Sequence, residues 1–240
     1  MTKKINKAMV LAAGRGERMR PLTDNCPKPL LKVSGRTMLD RALDDLQVSG
    51  VTDVVVNTFY LGHMIEEHLQ QRQAPRINLS REDRLLDTGG GVKKVLSFFG
   101  NDPFFVLNGD VIWTEGPSGP VFSRLESFWD DAKMDVLLLL YPVAGLPDHA
   151  GAGDYYLPQG AVQPVFKTNA ANKPNMIFTG PRIVHPRLFA GAPDGAFSFT
   201  DLFHKAEAAG RLYALVHDGA WYHVGTPEAL QDTEKKLHQA

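Results

Sequence analysis

Lys7-Ala-Met-Val-Leu-Ala-Ala-Gly-Arg-Gly-Glu-Arg-Met-Arg-Pro-Leu-Thr23 is an apolar run that passes directly into a glycine- and arginine-rich loop. The apolar part, residues 7–12, is short, ends in small residues and lacks the alternation of a half-exposed strand. It predicts the first, buried strand of a mostly parallel sheet. The loop that follows runs from Ala13 to Arg36. Loops of that length inside a folded domain are usually functional or disordered, and this one is dense in charged and rigid residues rather than low in complexity. Gly14 and Gly16 give the backbone freedom to turn N–H groups towards an anion.

Strands and helices alternate outward from this stretch. Thr37-Met-Leu-Asp40 resembles a capping box with Asp40 in the usual place of Glu or Gln. The stripe Leu39, Ala42, Leu43, Leu46 predicts a helix ending near Gly50. Strands are expected over Val51–Asn57, Ile77–Ser80 and Phe104–Asn108, with helices over Leu61–Gln71 and Gly91–Phe99. This alternation predicts an α/β fold with a doubly wound, Rossmann-like sheet. After Trp113 the pattern changes. Glu115–Pro120 reads as a turn or loop, Val121–Asp131 as a helix and Val136–Tyr141 as a strand. Residues 142–173 are irregular, with short candidate strands at Asp154–Leu157 and Val162–Phe166, and predict a β-rich insertion. Met176–Thr179 and Leu212–His217 read as strands and Leu202–Ala209 as a helix. A last helix starts at Thr226-Pro227-Glu228, an N-cap, a proline at the first helical position and an acid in the first turn. No repeat or linker divides the sequence, so residues 1–240 are expected to form a single domain.

The bulk numbers exclude several classes. With 240 residues, 43% hydrophobic and 22% charged, the composition is that of an ordinary soluble protein. A formal net charge of -1 calls for neither nucleic acid nor an anionic membrane as partner. Cys26 is the one cysteine, which excludes an internal disulfide or a cysteine-rich metal site and agrees with a cytoplasmic location. Lys3, Lys4 and Lys7 before Ala8–Ala13 resemble a signal peptide superficially, but the apolar run is too short and Arg15, Glu17 and Arg18 follow at once. No stretch approaches the ~20 apolar residues of a membrane helix.

Arg15, Arg18, Arg20 and Lys28 concentrate positive charge in and after the glycine loop. A triphosphate with its metal would use that charge. The P-loop pattern is absent, and a dinucleotide fingerprint would need a third glycine where Met19 stands. Lys28 lies between Pro27 and Pro29, so its backbone mount is stiff. That suits a cation placed in advance of developing charge, and equally a rigid turn with a solvated lysine. Asn108-Gly-Asp110 follows an apolar strand, at the sheet edge where open α/β folds bind ligands. Asp110 there can hold Mg²⁺, which prefers hard oxygen ligands. Leu86-Asp-Thr-Gly-Gly-Gly91 would allow close approach of a flat ring or a phosphate, or form a flexible helix entry. His223, in Trp221-Tyr-His-Val-Gly-Thr226, would face a ligand or be satisfied in the core.

Taken together these segments resemble the sugar-1-phosphate nucleotidyltransferases, a family with a Rossmann-like core. The resemblance rests on Leu11-Ala-Ala-Gly-x-Gly-x-Arg-x-x-Pro-x-Thr23, Pro27-Lys-Pro29, Gly109-Asp110 and Trp221-x-x-x-Gly-Thr226, which span nearly the whole sequence in the family's order. It implies a minimal catalytic domain that joins a nucleoside triphosphate to a sugar 1-phosphate and releases pyrophosphate, with Mg²⁺ as cofactor. It implies that Leu11, Ala12, Ala13, Gly14, Gly16, Glu82, Asp87, Thr88 and Gly89 bind the nucleotide. Arg15, Lys28 and Asp110 would be catalytic. Asn108, Gly151, Gly153, Asp154, Thr179 and Gly180 would line a sugar pocket, to which residues 142–180 contribute. Asp110 would hold the metal. Many relatives carry a second acidic ligand where this sequence has His223, and imidazole suits Zn²⁺ or Mn²⁺ better than Mg²⁺.

Within the family, the short chain, the Leu86–Gly91 segment and the Gly-x-Gly-Asp154 stretch are most similar to the uridylyltransferases of N-acetylmuramate 1-phosphate, enzymes of peptidoglycan recycling, with UTP as donor. The mannose-1-phosphate guanylyltransferases are the nearest rival. Two other classes stay open. A glycosyltransferase would usually carry Asp-x-Asp near the metal, where this sequence has Asn108. A non-catalytic nucleotide-sugar sensor is favoured only by His223. Oligomeric state is expected to be monomer or small homo-oligomer.

Overall fold

The first strand, β1 (Lys7–Leu11), is apolar on both faces because both faces are covered. Ala8 and Val10 point into one apolar cluster and Met9 into the other, and none of the three reaches solvent. A strand buried on both sides has to be central, with helices above and below. The structure, a computed structural model, describes residues 4–146, 152–166 and 172–239. After β1 come the hairpin strands β2 (Lys32–Val33) and β3 (Arg36–Thr37), α1 (Met38–Val48), β4 (Asp53–Thr58), α2 (Gly62–Gln70), β5 (Arg76–Arg81), α3 (Asp87–Lys94), α4 (Leu96–Phe99), β6 (Phe104–Asn108) and β7 (Ile112–Trp113). The second half runs α5 (Val121–Phe128), β8 (Val136–Pro142), β9 (Tyr155–Tyr156), β10 (Val165–Phe166), β11 (Met176–Val184), α6 (Phe199–Ala208), β12 (Leu212–Val216), β13 (Trp221–Tyr222) and α7 (Pro227–Gln239).

Among the described residues these build a nine-stranded sheet, whose main path is β10-β9-β11-β6-β1-β4-β5, with β8 pairing β11 and β12. The half formed by β5, β4, β1 and β6 is parallel throughout. β11 enters antiparallel between β6 and β8. Leu39, Leu43 and Leu46 of α1 and Phe122 and Leu125 of α5 cover one face, against Val10, Val54 and Leu107. Val92 of α3, Phe99 of α4 and Leu202 and Phe203 of α6 cover the other, against Met9, Val55 and Val106. Each such large side chain contributes about 1.5–3 kcal/mol on burial. This is the doubly wound arrangement that the alternating pattern predicts.

A third, smaller cluster underpins the glycine loop. Met19, at 0% exposure, plugs into Val33, Met38, Ile112, Val224 and Leu230. The position where a dinucleotide loop needs glycine is therefore an apolar anchor. Gly16 takes a left-handed φ of 63° and its carbonyl accepts from Met19 N at 2.8 Å and Thr23 Oγ1 at 2.9 Å. α7 closes the same region through Leu230 and through Glu234, whose Oε1 accepts from Ser34 N at 3.0 Å.

Several boundaries differ from the sequence reading. Thr37 caps α1, its hydroxyl oxygen accepting from Asp40 N at 3.0 Å. Asp40, shorter than Glu, accepts from the Thr37 hydroxyl at 2.6 Å instead of reaching the Thr37 backbone N–H. α5 stops at Phe128, not Asp131, because Trp129 turns to an extended backbone. β11 does not stop at Thr179: Gly180, at φ 113°, takes up a bulge, and the register with β8 shifts between Phe178 and Arg182. Pro181 falls inside the bulge, where no ladder hydrogen bond is demanded of it.

The largest difference concerns the triple glycine. The helix begins at Asp87, not Gly91, so Gly89, Gly90 and Gly91 are helical and buried. Their missing side chains admit the protein itself. A Cβ on Gly89 would overlap the Phe197 ring, one on Gly90 the Gly195 carbonyl oxygen, and one on Gly91 would lie 2.9 Å from Asn57 Nδ2 and 3.0 Å from Glu82 Oε1. Gly89, expected against the nucleotide, packs instead beneath the loop before α6. Glu82, which the resemblance places at the nucleotide, is 7% exposed. Its Oε1 accepts from Asn57 Nδ2 at 2.7 Å and its Oε2 from Leu86 N at 2.9 Å. Asn57 Oδ1 in turn accepts from Ala12 N at 2.8 Å. One chain of bonds thus ties the ends of β1, β4 and β5 to the entry of α3.

Two stability predictions follow from this packing. In an exposed helix Gly→Ala is stabilising by about 1 kcal/mol, but Gly90→Ala must displace the Gly195 backbone, at a cost of about 1–3 kcal/mol. The thermal midpoint then falls by roughly 3–10 °C, and a calorimetric scan showing no fall would contradict the packing. Glu82→Gln presents an NH₂ to one of two donors and costs about 1–3 kcal/mol in denaturant titration.

Candidate active site

The C-terminal ends of β1, β4 and β6 open on one side of the sheet, as in parallel α/β folds generally. Leu11 pairs with Asn57 on one side and with Asn108 on the other, so both asparagines flank the start of the glycine loop. Gly109 lies flat against β1, its N–H donating to Leu11 O at 2.9 Å. A Cβ there would press on that carbonyl at 3.1 Å. The tight crossing delivers Asp110 to the mouth of the loop.

Two cavities meet at this point. The larger, about 510 Å³, lies under the glycine loop, and the smaller, about 320 Å³, lies beside β11 and β13. Leu11, Ala12, Ala13, Gly14, Arg15 and Gly16 all line the larger one, with Asp87 and Thr88 across from them. Asp154, Thr179, Gly180 and His223 line the smaller. Lys28, Asn108 and Asp110 line both. Gly153 is buried, and a Cβ there would press on the Met176 carbonyl at 2.6 Å, so its role is to let the chain lie close on β11. Gly151 lies outside the described residues. Glu82 and Gly89 lie outside the lining of both cavities, engaged as described above.

The shared wall holds an ion pair. Lys28 Nζ donates to Asp110 Oδ2 at 2.6 Å, with side-chain exposures of 11% and 33%. The turn Lys28–Leu30 fixes the lysine: Leu30 N donates to Pro27 O at 2.9 Å, and Pro29 is buried. On the opposite side, a Cβ at Gly16 would touch Lys28 Cβ at 3.0 Å, so the glycine loop and the lysine turn rest on each other.

Arg15 and Arg18 divide the loop's charge unequally. Arg15 lines the larger cavity only, its guanidinium 5.7 Å from the centre of the Phe59 ring. Arg18 lines both. Sequence reasoning counted Arg18 among the cations but gave the central role to Arg15. It missed Asn57, which lines the larger cavity. The signal was available: a polar residue terminating an apolar strand, as Asn108 does. In the smaller cavity the Trp221 indole N–H donates to Thr179 O at 3.2 Å, and Asp154 accepts from Phe178 N at 3.1 Å, so wall and floor are braced. The His223 side chain is exposed, its ring 5.7 Å from that of Trp221 and folded over Gly225, where a Cβ would overlap it.

Asp110 is the one described carboxylate that lines both cavities. Among the described residues no group of three or more His, Cys, Asp or Glu is placed to hold a metal. A cation here would take one carboxylate from the protein and the rest of its ligands from phosphates, which is how Mg²⁺ is commonly held. Among the described residues no helix is long and apolar enough to cross a membrane.

The profile described as nucleotidyl transferase matches residues 7–145. The chain is 39% identical over 239 residues to the N-acetylmuramate alpha-1-phosphate uridylyltransferase of Caulobacter vibrioides, covering 97% of each. It is 34% identical to the protein of the same name from Neisseria meningitidis, over 95% of this chain and 96% of that one. In fold it is similar to a UDP-glucose pyrophosphorylase solved with UDP-glucose, at a TM-score of 0.79 and 19% identity, over 98% and 99% of the two chains. Motif order, a cleft at the parallel strand ends and full-length similarity agree, and this chain belongs to the nucleotidyl transferase family.

Proposed function

We propose that the protein transfers a uridylyl group from UTP to N-acetylmuramate 1-phosphate, giving the UDP-sugar and pyrophosphate. The observation that carries this reading is the Lys28–Asp110 pair in the wall common to two cavities. A reaction between two phosphates needs a fixed cation and an acid where the two substrates touch. The full-length similarity to two uridylyltransferases supports the choice of base and sugar.

The reaction is an in-line displacement. A phosphate oxygen of the sugar 1-phosphate attacks the α-phosphorus of UTP, the bond to the β-phosphate oxygen breaks, and pyrophosphate leaves with the electron pair. No side-chain nucleophile is required, because such transfers are governed by positioning and charge. Leu11, Ala12, Ala13 and Gly14 meet the base and ribose, with Asp87 and Thr88 opposite. The amides around Gly16, with Arg15 and Arg18, hold the triphosphate. The Lys28 ammonium has three N–H donors, so it can keep Asp110 and still reach both reacting phosphates. Asn108, Asp154, Thr179 and Gly180 form the sugar side, with Gly153 letting the chain lie close on β11.

Asp110 is the residue that would hold Mg²⁺, with His223 as a neighbouring contact. When bound, the ion supplies neutralisation of the crowded phosphate charge. Residues 1–240 act as one catalytic domain, to which 142–180 contribute the sugar-binding part. The setting that fits is peptidoglycan recycling in the cytoplasm, by a monomer or small homo-oligomer acting on small molecules, without nucleic acid or membrane. The near-neutral charge supports this.

Pyrophosphate release with UTP or GTP against the 1-phosphates of N-acetylmuramate, glucose and mannose tests the reading. Turnover is expected to be highest with UTP and N-acetylmuramate 1-phosphate. Binding without turnover would make the protein a sensor. Lys28→Ala and Asp110→Ala are each expected to lower kcat by about 10²–10³, as loss of a preorganised charge-stabilising group does. Arg18→Ala is expected to cost more than Arg15→Ala. Near-normal turnover in both Lys28→Ala and Asp110→Ala would overturn the site.

A further inference from the structure

Behind the wall between the two cavities lies a charge with no described carboxylate against it. Arg182, on β11 just past the bulge, is 1% exposed. The rings of Phe199, Phe178 and Phe203 surround its guanidinium at 4.5, 5.4 and 5.9 Å. Burial pulls its pKa down to about 9, which leaves it protonated at neutral pH. No described carboxylate forms an ion pair with it. Nη1 donates to Gly180 O at 2.7 Å and to Asn108 Oδ1 at 3.2 Å, while Nε has no partner among the described residues.

The chemistry of this contact decides how Asn108 is presented. A guanidinium carries donors only, whereas an amide carries an acceptor on one side and two donors on the other. The Asn108 atom that faces Arg182 must therefore be the oxygen. Its Nδ2 is turned away, and Asn108 lines both cavities. We propose that Arg182 is a positioning residue that locks the Asn108 amide with its N–H donors towards the substrates, where they recognise an acceptor oxygen of the sugar 1-phosphate. This rests on the transferase reading above and adds to it a residue outside the lining of both cavities.

A purely structural role makes a different prediction. A whole buried ion pair can often be replaced by apolar residues of similar size at little cost. Arg182 faces no described carboxylate, so its replacement strands no opposite charge, only the acceptors Gly180 O and Asn108 Oδ1. The aromatic cage offers a methionine side chain good packing. If Arg182 only fills space, Arg182→Met should be active. If it orients Asn108, the variant should fold and fail selectively.

The experiment compares wild type, Arg182→Met, Arg182→Lys and Asn108→Asp. It measures pyrophosphate release from UTP and N-acetylmuramate 1-phosphate, thermal unfolding, and the Asn108 Nδ2 signals in a ¹⁵N-edited spectrum, assigned by their loss in Asn108→Asp. Arg182→Met is expected to fold with a lowered thermal midpoint, because Gly180 O and Asn108 Oδ1 lose their donor, to raise KM for the sugar phosphate by about tenfold, the loss of one oriented hydrogen bond, and to leave KM for UTP unchanged. The Nδ2 signals should move to positions typical of a free amide, and Arg182→Lys should recover part of the loss. Asn108→Asp pairs with Arg182 but shows oxygen to the cavity, so it should keep its stability and lose the sugar phosphate. Wild-type KM and kcat in Arg182→Met would overturn the proposal. If that variant does not fold, unchanged KM in Asn108→Asp overturns it. If the wild type releases no pyrophosphate, the transferase reading fails, and the Nδ2 signals alone decide: unmoved in Arg182→Met, or in Arg182→Lys should the methionine variant not fold, they reject the positioning role.

Discussion

An ammonium and a carboxylate 82 positions apart in the chain stand 2.6 Å from each other at the open end of the sheet. To hold them there the chain must make β1 and β6 neighbours, in the register that sets Leu11 beside Asn108. It must also keep the segment after β1 from straying. The first demand is met by strands buried on both faces, the second by Met19 below and by Gly16 against Lys28 from the side. Alternatives for the pair are poor. A lysine at 11% exposure that lost its acid would sit half-desolvated, and an acid that lost the lysine would repel incoming phosphates.

The two asparagines at the strand ends show how opposite charges brace similar groups differently. Glu82, behind Asn57, accepts from its NH₂ and leaves the oxygen to the Ala12 N–H. Arg182, behind Asn108, donates to its oxygen and leaves the NH₂ to the cleft. An acid and a base in the second layer thus set the sense of two amides in the first. Neither charged group needs to touch a substrate to shape what the cleft displays.

Much of this was legible in the sequence where the information is local. The glycine loop, the Pro-Lys-Pro turn and Asn108-Gly-Asp110 each declare themselves by residue type and spacing, and the alternation of apolar runs gives the sheet. What was illegible depends on which segments meet. Gly89–Gly91 read as room for a ligand or as a flexible helix entry, because nothing in their neighbourhood says that Phe197 and Gly195 will fill the space. Glu82 is placed at the nucleotide only by the family resemblance, and nothing beside it in the chain says that its partners lie on β4 and at Leu86. Nothing beside Arg182 in the chain marks it as buried. Only the insertion of β11 between β6 and β8 buries it.

The apolar anchor under the glycine loop is shared with the final helix. Leu230 and Val224 pack on the same cluster as Met19, and Glu234 grips the β2–β3 hairpin at Ser34. α7 is therefore a footing for the glycine loop. Tension or crowding exerted on that helix, by a fused partner for instance, would be transmitted to the loop through a handful of side chains, with no need to disturb the sheet between them.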